Sequence, residues 1–103
     1  MLETIQDRHF RSLLGRITTL RLPDGRQLPI HIDSLEQQLR AQLPNSERVP
    51  FGVGLNSLGP TDFIDGLCTL ELPELGAVQD IFVSRVPPMG RDPALGYFHI
   101  AFN

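Results

Sequence analysis

Between Gly66 and Val83 the chain reads GLCTLELPELGAVQDIFV, with Cys68, Leu70 and Leu72 alternating against Thr69 and Glu71. A period of two is that of a strand with one buried face. Pro73 lacks an N–H and presets φ, Gly76 admits left-handed backbone, and Val78–Val83 resumes extended character, so the stretch predicts a β-hairpin. The same alternation runs through Arg16–Leu22, with Thr18, Leu20 and Leu22 on one side and Ile17, Thr19 and Arg21 on the other. Leu22-Pro23-Asp24-Gly25 then has the chemistry of a short hairpin loop, and a second strand begins near Gln27, where Leu28, Ile30 and Ile32 alternate with Pro29, His31 and Asp33. A proline inside that run points to an edge or a bulge.

Two stretches follow a helical rather than a strand period. In residues 2–14, Leu2, Ile5, Phe10, Leu13 and Leu14 fall mostly on one helical face, Thr4 with Asp7 makes an acidic capping pair, and Gly15 suits a C-terminal cap. A short amphipathic helix, starting at Thr4 or near Asp7, is expected to plug one end of a β-structure or to pack on a neighbouring subunit. In Ser34–Asn45 the Ser34/Gln37 capping box and the spacing of Leu35, Leu39 and Leu43 predict a short helix, although a strand extension followed by a loop is also compatible.

Val49–Ser57 sets Phe51, Val53 and Leu55 against Gly52, Gly54 and Asn56, an apolar face backed by a nearly bare one. Paired glycines on one strand face mark close approach of another group, so a helix or a neighbouring chain is expected over Gly52 and Gly54; the alternative is a solvated outer face. Leu58–Asp65 reads as a turn-rich crossover, and Val86–Pro93 as a stiff, proline-bounded loop. The closing strand, Leu95–Asn103, places Phe98, Ile100 and Phe102 inward and Tyr97, His99 and Ala101 outward.

The chain of 103 residues fits one domain, residues 1–103, which buries roughly 60–70% of the surface its unfolded form exposes. Its apolar and charged fractions, 41% and 20%, are those of a globular protein rather than a disordered one. All nine basic residues are arginine, they are scattered, and the net charge is -3, so no basic stripe exists for nucleic acid. One cysteine excludes an internal disulfide. The opening MLETIQDRHF is acidic and lacks an apolar run, so no signal peptide and no membrane insertion are expected, and a cytoplasmic site is the default, with incorporation into a larger particle or filament compatible with it.

Candidate chemistry is sparse. His31 and His99 occupy the polar faces of their strands and would be neighbours if those strands paired, with Asp33 close by, which is a conceivable metal or catalytic constellation. Asp62 and Asp65 offer two carboxylates, short of the oxygens calcium takes. Cys68 lies within the apolar alternation and reads as a buried, inert thiol. Serines 12, 34, 46, 57 and 84 have no recognisable base partner, and no HExxH, CxxC, GxSxG or phosphate-cradling loop occurs. Accordingly no catalytic, cofactor-binding or metal-binding residue is assigned.

Val49-Pro50-Phe51, Gly59-Pro60 with Asp62, Gly66 leading to Leu70-Glu71 with Pro73 and Leu75-Gly76, and Phe98 with Phe102-Asn103 together resemble a bacterial family known as domain of unknown function 6916. The opening Leu2-Glu3-Thr4, Phe10 and Leu13-Leu14-Gly15 are similar to that family's start, while Ser34–Glu47, Gly52 and Gly54 depart from its pattern. The resemblance implies association with phage-tail-collar-like proteins, hence a structural or partner-binding role.

The expected fold is a small, mainly antiparallel β-barrel or sandwich of about six strands with a short N-terminal helix. The expected function is non-enzymatic: a structural or adaptor domain that binds copies of itself or another protein through strand edges, the Pro87–Pro93 loop or the glycine face. The alternative is a small module holding a ligand or carbohydrate in a barrel mouth, with no Trp and Tyr97 as the only Tyr to line it. A third reading, a hydrolase or metal enzyme, would centre on His31 and His99.

Overall fold

In a computed structural model the chain forms a closed barrel of six antiparallel strands; the structure describes residues 2–38, 44 and 48–103. The strands are β1 (Ile17–Arg21), β2 (Gln27–Gln37), β3 (Phe51–Ser57), β4 (Asp65–Leu72), β5 (Gly76–Val86) and β6 (Tyr97–Phe102), in the spatial order β1-β2-β3-β6-β5-β4. Alternation decides which side chains fill the barrel. Leu20, Ile30, Val53, Leu70, Val83 and Ile100 all point inward and are buried. Each such aliphatic residue contributes about 1.5–3 kcal/mol of burial free energy, and the interior is filled rather than hollow.

Both predicted hairpins form. Between β1 and β2, Leu22 N–H donates to Arg26 O and Gly25, at φ +90°, closes the loop. Between β4 and β5 the turn places Glu74 and Gly76 at positive φ. β5 carries a bulge: Cys68 pairs with Ile81 but Leu70 with Val78, so Gln79 and Asp80 oppose the single Thr69, and Asp80 is left-handed at φ +62°.

Expectation and structure part at four places. The segment from Ser34 to Gln37 is strand, the extension that the sequence also allowed, and not helix; residues 39–43 and 45 of that predicted helix lie outside the described residues. The reason is a bulge at Asp33. Ile32 pairs with Leu55 and Ser34 with Gly54, so the inward face switches parity and Leu35 comes in beside Val53. Pairing along β3 thereby uses residues whose spacing alone reads as helical. No bulge occurs at Pro29; β2 meets β3 only from Ile30 onward, so the proline sits where its strand has β1 as its paired neighbour.

The N-terminal helix is shorter than expected. A 3₁₀ turn at Leu2–Thr4 precedes a single α-turn, α1 (Arg8–Arg11), and Asp7 occupies the N-cap position without a side-chain cap bond. Its role as a plug holds: Ile5 and Phe10 are fully buried, and Phe10 meets Phe51 and Phe102 at ring-centroid distances of 6.1 and 5.5 Å. Leu14, by contrast, remains exposed.

Among the described residues no helix lies over Gly52 and Gly54. The close approach comes from side chains on the flanking strands, His99 of β6 over Gly52 and Ser34 of β2 over Gly54. Tyr97, expected outward, is buried, because the Arg91 guanidinium stacks 3.9 Å from its ring centroid.

Candidate interaction surface

Histidines 31 and 99 do not meet. β2 and β6 flank β3 on opposite sides, so His31 lies in the row of Asn56 and His99 in the row of Gly54. The His31 Nδ1 is 3.1 Å from Asn56 Oδ1, and Asp33 faces Arg91 at 3.5 Å instead of either histidine. Among the described residues no group of three His, Cys, Asp or Glu side chains is placed to hold a metal ion. Asp62 accepts from Arg26 at 3.2 Å. That same arginine bonds Asp24 through its main-chain N–H and its side chain, which together hold the Asp24 carboxyl below its usual range.

The remaining candidates have structural work. Cys68 is buried, and desolvation pushes its thiol up to about 11, so it is protonated and unreactive at neutral pH. Ser57 is fully buried, donates to Gly59 O at 2.6 Å and accepts from Gly96 N–H at 2.8 Å, tying the start of the crossover to the approach of β6. Ser84 Oγ bonds His99 O at 3.4 Å. His9, not singled out from sequence, is buried with its Nδ1 accepting the Gln6 N–H at 2.8 Å. Only tertiary placement of α1 could have revealed it.

Both barrel mouths are covered. Phe10, Phe51 and Phe102 close one, with Arg48 spanning Leu2 O at 2.8 Å and Asn103 O at 3.2 Å. At the other, the 58–64 crossover turns Phe63 in against Phe98, and Arg85 Nη1 donates to Thr61 O and Phe63 O at 3.0 and 2.9 Å.

What the barrel leaves open is a seam. β5 and β6 pair only at Ser84–His99, Arg85–Phe98 and Val86–Tyr97, although the antiparallel register would continue to Phe82 opposite Ala101. The bulge at Gln79–Asp80 lies in the part of β5 beyond this pairing, and a bulge adds local twist and bends its strand. Between the splayed strands lies a groove of about 270 Å³. Asp80, Ile81 and Phe82 form one wall, Ile100–Asn103 with Arg48 the other, and Leu2 closes an end. Beside it Phe82 and its cross-strand partner Leu67 are each 55% exposed. Ile64, just before β4, is exposed as well, as is Met89 at the tip of the Pro87–Pro93 loop. That loop is pinned at its base, where Arg91 Nε donates to Pro88 O at 2.7 Å.

No sequence signal marked the seam: Phe82 and Leu67 occupy alternate positions that a period of two assigns outward, but the loss of pairing next to them depends on the bulge. Among the described residues, no helix is long and apolar enough to cross a membrane. No protein-family model matches the chain, and no curated protein or solved structure matches it significantly.

Proposed function

We propose that this domain is a non-enzymatic structural or adaptor unit that works by binding protein chains through its outer surface. The observation that carries this reading is the exposed apolar pair Leu67 and Phe82 beside the open β5–β6 seam. Large side chains left outward on adjacent strands cost solubility without adding to the core, and a patch of this kind marks an interaction site. The family resemblance read from the sequence supports the same class of role, in a phage-tail-like or surface assembly. Closure of the barrel moves the expected contact away from free strand edges, which a closed sheet lacks, to the seam and to the Met89 loop.

The alternative of a ligand or carbohydrate held in a barrel mouth has less to support it. Both mouths are occupied by the chain's own aromatic side chains.

Photo-crosslinking tests the proposal, since the chain contains no lysine for amine-directed reagents. Benzoylphenylalanine introduced at Ile64, Leu67, Phe82 or Met89 in the producing cell is expected to give discrete protein adducts. The same group at Gln27, exposed at the start of β2, is the control. Absence of adducts at all four positions overturns the reading.

A further inference from the structure

We infer that the plug formed by residues 2–14 exchanges between copies of this chain, each copy closing the aromatic mouth of the other, with Gly15 as the hinge. Neither the seam nor the interaction role proposed above is needed for it.

The plug belongs to no strand. Among the described residues its backbone-to-backbone hydrogen bonds stay within positions 2–16, and the first to reach the barrel is at the hinge, from Gly15 N–H to Ile32 O at 2.9 Å. Side chains tie the plug to the mouth. Phe10 meets Phe51 and Phe102, Arg8 pairs with Glu74 at 3.1 Å, and Gln37 donates to Asp7 at 2.9 Å. These partners all lie at least 30 residues further along the chain. The mouth therefore receives the plug of a second copy with the same contacts, which is the condition for exchange of an identical element.

The hinge decides between the two forms. The chain reverses there in a tight turn, closed by Arg16 N–H to Leu13 O at 2.9 Å, with Gly15 at φ +76°. A Cβ on Gly15 would meet nothing within 4 Å, so backbone conformation and not space asks for glycine. Leu14 and Ile17 flank it, 40% and 63% exposed. Opening Gly15 to extended backbone carries the plug away from its own barrel. In the exchanged pair the two hinges run side by side, and Leu14 and Ile17 of each cover those of the other. That apolar burial favours the pair, the entropy of association opposes it, and protein concentration sets the balance.

Light scattering coupled to size-exclusion chromatography, on chain refolded from urea at millimolar concentration, is the test. A fraction of twice the 11.5 kDa chain mass is expected, persisting on dilution because Phe10 must be withdrawn before the copies part. Valine is strained at positive φ and favoured in an extended hinge. Gly15→Val is therefore expected to lower the dimer dissociation constant about a hundredfold, roughly tenfold for each of two hinges. Leu14→Ser combined with Ile17→Thr should raise it about tenfold. Topology is read with Arg8→Cys and Glu74→Cys in a Cys68→Ala background, joined by a short bismaleimide. On a denaturing gel the dimer fraction should run as two chains covalently linked, and the monomer fraction as one chain linked to itself.

A folded Gly15→Val chain that stays monomeric at millimolar concentration overturns the inference. So does a double-cysteine chain that gives only internal links, and that chain keeps the native hinge, so its result stands even if Gly15→Val does not fold. Adducts from Ile64, Leu67, Phe82 or Met89 test the seam separately, and either reading can fail without the other.

Discussion

His99 lies across Gly52: a methyl group placed on the glycine would sit 2.5 Å from the imidazole Nε2. The contact is between neighbouring strands of one sheet, β6 and β3, and it occupies a face that would otherwise carry a side chain of its own. The obstacle is the free end of an exposed ring, which can swing into solvent. At Gly66 the obstacle is different, since a methyl group there would meet the rigid Pro23 ring at 2.7 Å and the backbone is held at φ +152°. Gly52→Ala is therefore expected to stay within about 1 kcal/mol of wild type, the side-chain shift being offset by lower unfolded-state entropy. Gly66→Ala should cost about 2–4 kcal/mol. Urea denaturation of the two variants side by side checks the difference.

Ser57→Ala deletes a hydroxyl that serves as donor and acceptor at once, leaving the Gly96 N–H without that acceptor in a buried site. The expected loss is about 1–3 kcal/mol, which lowers the melting temperature by roughly 4–8 °C for each kcal/mol in a domain of this size. Calorimetry or a thermal melt by circular dichroism reads it directly.

Phe10→Ala removes the plug of the aromatic end, where Phe51 and Phe102 stack at 4.8 Å. A loss of about 3–5 kcal/mol is expected, a large part of what a domain this small possesses. Amide hydrogen exchange should show faster opening at β3 and β6 near Phe51 and Phe102, with the β1–β2 hairpin less affected.

The Cys68 thiol should give an alkaline signature. Unfolded, it ionises near 9.0; in the barrel, burial raises this to about 11. Between those values the folded chain keeps a proton that the unfolded chain has lost. Stability from this group is thus complete below about pH 9 and falls as pH rises toward 11. Urea unfolding from pH 8 to 11 should show that decline in wild type and a flatter one in Cys68→Ala. At pH 8 a thiol reagent should label the native protein slowly and the denatured protein at once.

The pattern of residues was enough to place all six strands, both hairpin turns and the class of fold, because side-chain parity is a local property that burial on one face enforces. Leu20, Ile30, Val53, Leu70 and Ile100 are inward in the structure as their alternation required. Cys68 was legible as a buried thiol on the same ground. The length of β2 was not legible. Ser34–Gln37 satisfies a helix cap and a helical leucine spacing, and only pairing with β3, allowed by the single extra residue Asp33, decides for strand. Nor could the chain order reveal that β6 inserts between β3 and β5 and thereby keeps His31 and His99 apart.

By itself, then, the sequence determined which faces are apolar, where the chain turns, and that a small, mainly β fold results, since these follow from residue-level propensity and period. The tertiary structure alone decided closure of the barrel, the plugging of both mouths, and the opened seam beside Phe82. Those features arise from two bulges and from contacts between residues far apart in the chain, such as Phe10 with Phe102 and Arg85 with Thr61, whose cost and gain no local window of sequence contains.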